Sequence, residues 1–277
     1  KLDPQHPETV ASLEALMQKD HRDPATGGPG YATQAAELLE SVYLAKLDWR
    51  RVMAPLDARL AVSQDPDERR QLLRRLAKLH EEQEENYSAA LETTAKLLTE
   101  DVTDEATWHE LERLARVANA EARLADIFAG ELAKVTADEP ATAQLARRTG
   151  ELYEAQKQNE RALEFYRRAY AFAPEESEGV FEAIDRLLGD AGLPKERVAL
   201  YREALEYRDD PSLRLTTFHT IAELEEKDLG DDDASIQTYQ QALDLDETDP
   251  HSLEALTRLY ARRERFKDLA DLLRRRA

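Results

Sequence analysis

Apolar residues recur at three- and four-residue spacing along most of the chain. Leu111, Leu114, Ala115 and Ala118 do so, as do Leu253, Leu256, Leu259 and Tyr260. This is the period of one buried helix face. Strand-like alternation is missing, and so are the Asn-Gly and Asp-Gly turns that join hairpin strands. The pattern predicts helices throughout.

The pattern also repeats. Residues 76–98 lie on residues 221–243 without a gap: Ala77 meets Ala222, Leu79 meets Leu224, Ala89 meets Ala234, Thr93 meets Thr238 and Leu98 meets Leu243. At the same offset, Trp108, Leu111, Leu114, Leu124 and Ile127 fall on Leu253, Leu256, Leu259, Leu269 and Leu272. A fixed internal offset marks a repeat architecture, here four units of about 36 residues.

The unit is clearest at 143–176, with Gly150, Tyr153, Ala162, Tyr166, Ala169 and Pro174. Helices of a hairpin cross closely only where small side chains meet, and aromatic rings fill the gap to the next unit. These residues resemble the tetratricopeptide repeat, a helix–turn–helix of about 34 residues. The resemblance implies small side chains where Gly150, Ala162 and Ala169 stand, and aromatic ones where Tyr153 and Tyr166 stand. In this register units begin near 33, 70, 105, 143, 178, 215 and 250, with one extra residue in the Asp231–Asp233 turn. Glu112, Asp185 and Thr257 depart from the pattern at a position where a small residue is usual. The fold predicted is all-α: an α-solenoid, a right-handed superhelix of about seven such hairpins over 33–277.

Residues 1–32 are predicted to hold the tail of a preceding unit, a leading helix near 7–19 with Pro7 at its start, and an irregular Gly/Pro loop at 20–30. At the other end Leu269, Leu272 and Leu273 form an apolar stripe. Solenoid ends are usually capped by a polar face. Neither end reads as capped, which predicts a segment of a longer array and self-association through the ends.

Charge narrows the function. The formal net charge is −20 and the isoelectric point about 4.8, against sequence-independent nucleic-acid binding and docking on anionic membranes. Cysteine is absent, which excludes disulfides, cysteine–zinc sites and a thiol nucleophile. The compartment, cytoplasmic or periplasmic, stays open. No apolar run approaches the roughly 20 residues of a membrane-spanning helix.

Catalytic patterns are not found. Gly27-Gly28-Pro29-Gly30 lacks the Gly-Lys-Ser/Thr ending of a phosphate loop and reads as a turn. His6, His21, His80, His109, His219 and His251 form no His-Glu-x-x-His and read as scattered surface residues. Asp244, Asp246 and Thr248 begin like a calcium loop, but Asp249 replaces the required glycine and Ala255 the closing glutamate. Helix capping explains these residues, and Asp231-Asp232-Asp233 as well. Asn86-Tyr87-Ser88 matches a glycosylation sequon by pattern only. The expectation is a non-enzyme without cofactor or metal.

The resemblance implies that the first helices of successive units line a concave wall, with Arg74, Lys78, His109, Arg113, Arg116, Arg147, Glu151, Glu182 and Arg186 facing inward. That wall is basic first and acidic after. Arginine grips carboxylates through two parallel hydrogen bonds, so the expected partner is a protein or peptide with an acidic stretch. No unit carries the asparagine of the clamp that some of these repeats use for a terminal carboxylate. The leading function is a scaffold or adaptor. The alternatives are a structural part of a large bacterial envelope or motility assembly, and a regulatory segment of a larger enzyme or transcription regulator.

Overall fold

The computed structural model describes residues 6–18, 30–135, 140–172, 174 and 177–276, with the side chains at 275 and 276 left aside. The described residues are helical, without a strand. Among them fifteen α-helices follow in order: α1 (Pro7–Met17), α2 (Tyr31–Ala45), α3 (Trp49–Val62), α4 (Pro66–Glu82), α5 (Tyr87–Glu100), α6 (Glu105–Ala118), α7 (Glu121–Leu132), α8 (Pro140–Ala155), α9 (Asn159–Phe172), α10 (Glu178–Asp190), α11 (Pro194–Tyr207), α12 (Pro211–Glu223), α13 (Asp232–Leu245), α14 (Pro250–Arg262) and α15 (Phe266–Arg276). The leading helix is present as α1, while residue 19 of the expected helix and residues 20–29 of the expected Gly/Pro loop lie outside the described residues.

The chain divides into two compact units, Lys1–Leu145 and Ala146–Ala277. Within the first, helices α1 to α7 pack chiefly on their chain neighbours, and so do α9 to α15 in the second. Packing on chain neighbours is what an α-solenoid does. One core of the N-terminal unit gathers Val10, Leu39, Tyr43, Val52, Leu56, Leu72 and Leu76. Its counterpart in the C-terminal unit gathers Ile236, Tyr239, Leu256, Leu259, Tyr260 and Leu272.

Small and aromatic residues meet as the spacing requires. A Cβ on Gly150 would lie 2.8 Å from the Tyr166 ring, and Tyr153 stacks on Phe165 with centroids 5.6 Å apart. Where Asp185 replaces the small residue, the contact becomes polar. Tyr201 donates its hydroxyl to Asp185 at 3.0 Å, and Arg197 grips the same carboxylate at 2.8 and 3.1 Å. Burial, then Asp185, pushes the Tyr201 phenol up to about 12.

Each hairpin turns through one left-handed residue: Leu47, Glu85, Asn119, Lys157, Gly192, Gly230 or Glu264, with φ between 51° and 66°. After five of them, the next N–H donates to a carbonyl five residues back, as from Asp48 to Tyr43 and from Gln158 to Tyr153. This is the Schellman closure of a helix end. Two hairpins differ. Asn86 donates to His80 at 2.9 Å and Asp231 to Glu225 at 2.8 Å, each across six residues. The extra residue near Asp231 is therefore absorbed in the helix end, as a π-helical turn at Leu224–Asp228, and not in the Asp231–Asp233 turn. A wider i→i+5 ring accommodates an inserted residue without breaking the hydrogen-bond ladder. The α4–α5 hairpin carries the same insertion, which is why it aligns with α12–α13 without a gap.

Candidate functional site

In the N-terminal unit, α4 starts on Pro66, with Asp65 accepting from the Asp67 N–H. It buries Leu72, Leu73 and Leu76 and turns Arg74, Lys78 and Glu82 outward. Helix α6 is capped by Asp104, which accepts from the Ala106 N–H and the Thr107 hydroxyl. Between them, over α5, lies a cleft of about 440 Å³. Arg74 and Lys78 stand on its α4 wall, Asp104 and Glu110 on its α6 wall, and Thr94 and Leu97 of α5 line it. Thr94 is 2% exposed, and its hydroxyl has no hydrogen-bond partner among the described residues.

The expected inward cations split into two kinds. Arg113 is bound tightly, at 2.6 Å to Glu81 and 2.8 Å to Glu110. Its hydrogen bonds hold the Glu110 carboxyl below its ordinary value and lift the guanidinium further above its own. Arg74 and Lys78 are held loosely, 3.5 Å from Asp104 and 3.6 Å from Glu82, with side chains 58% and 69% exposed. His109 Nδ1 lies 3.6 Å from Glu112. Arg116 is exposed and has no ion-pair partner among the described residues.

Arg147, Glu151, Glu182 and Arg186 belong to the C-terminal unit. Arg147 and Glu151 pair one turn apart at 3.4 Å. Arg186 reaches Glu154 at 2.7 Å, and Glu154 also accepts from the Tyr166 hydroxyl. Glu182 is exposed and unpaired among the described residues. A ladder emerges that the sequence reading missed. Arg113 to Glu81, Arg186 to Glu154 and Arg258 to Glu226 all span the same interval in the chain, at 2.6, 2.7 and 2.7 Å. The recurring interval was the signal that could have revealed these struts between successive hairpins.

The histidines are not all scattered on the surface. His219 of α12 and His251 of α14, separated by that same interval, stack with ring centroids 4.4 Å apart. Tyr239 of α13 joins them at 6.4 and 5.8 Å. His219 Nε2 lies 2.7 Å from Asp249 and 3.2 Å from the Ser252 hydroxyl, and His251 Nε2 lies 3.3 Å from Glu223. Burial alone would raise the Asp249 carboxyl. Hydrogen bonds from the Ser252 hydroxyl and N–H, and contact with His219, bring it below its ordinary value. A carboxyl depressed in the folded state contributes stability above its unfolded pKa, lost as pH falls through the folded one. Asp249→Asn should therefore lower the melting temperature near neutral pH, and the gap to the parent should close in an acid titration below about pH 4. A gap that stays constant would show that the charge contributes nothing.

Among the described residues no group of three His, Asp or Glu side chains is arranged to hold a metal ion, and no helix is long and apolar enough to cross a membrane.

Residues 216–249, which take in most of the α12–α13 hairpin, match the tetratricopeptide repeat family model. That segment carries a tetratricopeptide repeat, the module that the spacing of small and aromatic residues elsewhere in the chain resembles. No curated protein matches it. Among solved structures it is similar to MamA protein, with 18% identity over 65% of this chain and 94% of that one and a TM-score of 0.35. It is similar also to YrrB, described as a TPR protein with an unusual peptide-binding site, with 14% identity over 67% and 91% of the two chains and a TM-score of 0.35. A third is Naa15/Naa10 bound to HypK-THB, with 12% identity over 82% of this chain and 34% of that one and a TM-score of 0.39. Likenesses at these scores carry no weight for site or partner.

Proposed function

We propose that this chain is a binding scaffold that holds a partner polypeptide on the face formed by the first helices of its hairpins and breaks no bond. The hairpins are read as units beginning near 33, 70, 105, 143, 178, 215 and 250. The α4–α6 cleft carries the reading. Its size falls within the range of about 300–1,000 Å³ usual for ligand sites, and its two cations are exposed with their in-chain ion pairs long. An acidic segment of the partner supplies closer carboxylates to Arg74 and Lys78 than Asp104 and Glu82 do. Arg113 and Arg186 act instead as struts.

Arg74→Glu combined with Lys78→Glu should weaken binding of an acidic probe peptide at least about tenfold at low salt, measured by calorimetry. The melting temperature should scarcely move, because exposed pairs of this kind are worth about 0–1 kcal/mol. Unchanged affinity would remove the acidic-segment reading. Self-association is a second reading, favoured by Phe266 and Leu273, which stay 65% and 47% exposed on α15. Light scattering that finds a monomer at all concentrations would exclude it.

A further inference from the structure

Two seams of this chain are built on one frame. The first lies between α4, α5 and α6, the second between α12, α13 and α14. They share the six-residue closure, from Asn86 to His80 and from Asp231 to Glu225. They share the cap of the middle helix, where Asn86 accepts from Ala89 and Asp231 from Ala234. They share the aspartate that opens the third helix, Asp104 or Asp249, and the strut from Arg113 to Glu81 or from Arg258 to Glu226. What differs is the filling. Where the second seam has Tyr239 and His251, the first has Thr94 and Ala106. In the second, the chain's own rings stack together. In the first, the same positions leave an open cleft, with the Thr94 hydroxyl buried and unpartnered among the described residues.

We propose that the first seam receives an aromatic side chain from the partner, in the space that Tyr239 and His251 fill in the second. Leu97 and Ala77 offer the ring an apolar contact. Ala106 stands exposed at the mouth of the space. A carboxylate beside the ring reaches Arg74 or Lys78. The inference rests on the reading of this cleft as the partner site and names the side chain that enters it.

The test uses the full chain and two blocked pentapeptides, Glu-Glu-Tyr-Glu-Glu and Glu-Glu-Ala-Glu-Glu, titrated by calorimetry. The tyrosine peptide should bind at least about tenfold more tightly than the alanine peptide. Ala106→His, at an exposed position, should erase that preference without altering the melting temperature. Equal binding of the two peptides, no binding of the tyrosine peptide, or a preference that survives Ala106→His would each overturn the proposal. The outcomes separate from those of the acidic-segment reading. If the alanine peptide binds and Arg74→Glu with Lys78→Glu releases it, while tyrosine adds nothing, the acidic reading stands and the ring does not. If the tyrosine preference holds and charge reversal has no effect, the ring stands alone.

Discussion

Leucine at position 150 should cost the protein about 3 kcal/mol of stability, the upper part of the range for overpacked cores. Gly150 lies in α8, where a glycine is otherwise unfavourable by about 0.5–1 kcal/mol against alanine. Its value is contact. Even a bare Cβ there would sit 2.8 Å from two atoms of the Tyr166 ring. That ring cannot slide away freely, because it is buried and its hydroxyl donates to Glu154 at 2.9 Å. Glu154 in turn holds Arg186, so the disturbance runs from α8 through α9 to α10. Calorimetry of Gly150→Leu should show a clear fall in melting temperature. A melt that matches the parent would mean that Gly150 does not set the α8–α9 crossing.

Trp108→Ala should be the largest single loss in the N-terminal unit, about 3–5 kcal/mol. Trp108 is fully buried, and its indole N–H donates to the Val102 carbonyl at 2.9 Å. The substitution opens a cavity and leaves that carbonyl without the indole. Stacked repeats share stability mainly with their neighbours. Hydrogen exchange should therefore quicken most in α4 to α7 and least in α12 to α15. Uniform quickening along the whole chain would show a single cooperative unit in place of a stack.

These two residues also show what was legible. Gly150, Ala162, Tyr153 and Tyr166 announce the hairpin because close helix crossings admit few residue types at fixed intervals, and periodic packing writes itself as periodic sequence. Asp185 was visible as an exception to the small-residue rule, but not as the anchor of Arg197 and Tyr201, since one side chain's partner on the next helix has no local signature. The arginines were harder still. With 58 acidic residues in the chain, nothing local distinguishes Arg113, tied to two glutamates, from Arg74, held loosely at a cleft. The cleft itself depends on Thr94 and Ala106 being small together on separate helices. The histidine pair escaped because its members meet across successive hairpins and not within one helix.

The left-handed turns bear on how much hotter this molecule could live. Five of the seven are made by residues other than glycine, and four of those five, Leu47, Glu85, Lys157 and Glu264, are types that rarely adopt the conformation and tolerate it at about 1–2 kcal/mol apiece. The penalty falls at four of the seven bends, in places that face water and lie outside the α4–α6 cleft. Thermal tolerance in this protein is therefore adjustable at its corners, one glycine at a time, without disturbing a single buried side chain or the α4–α6 cleft.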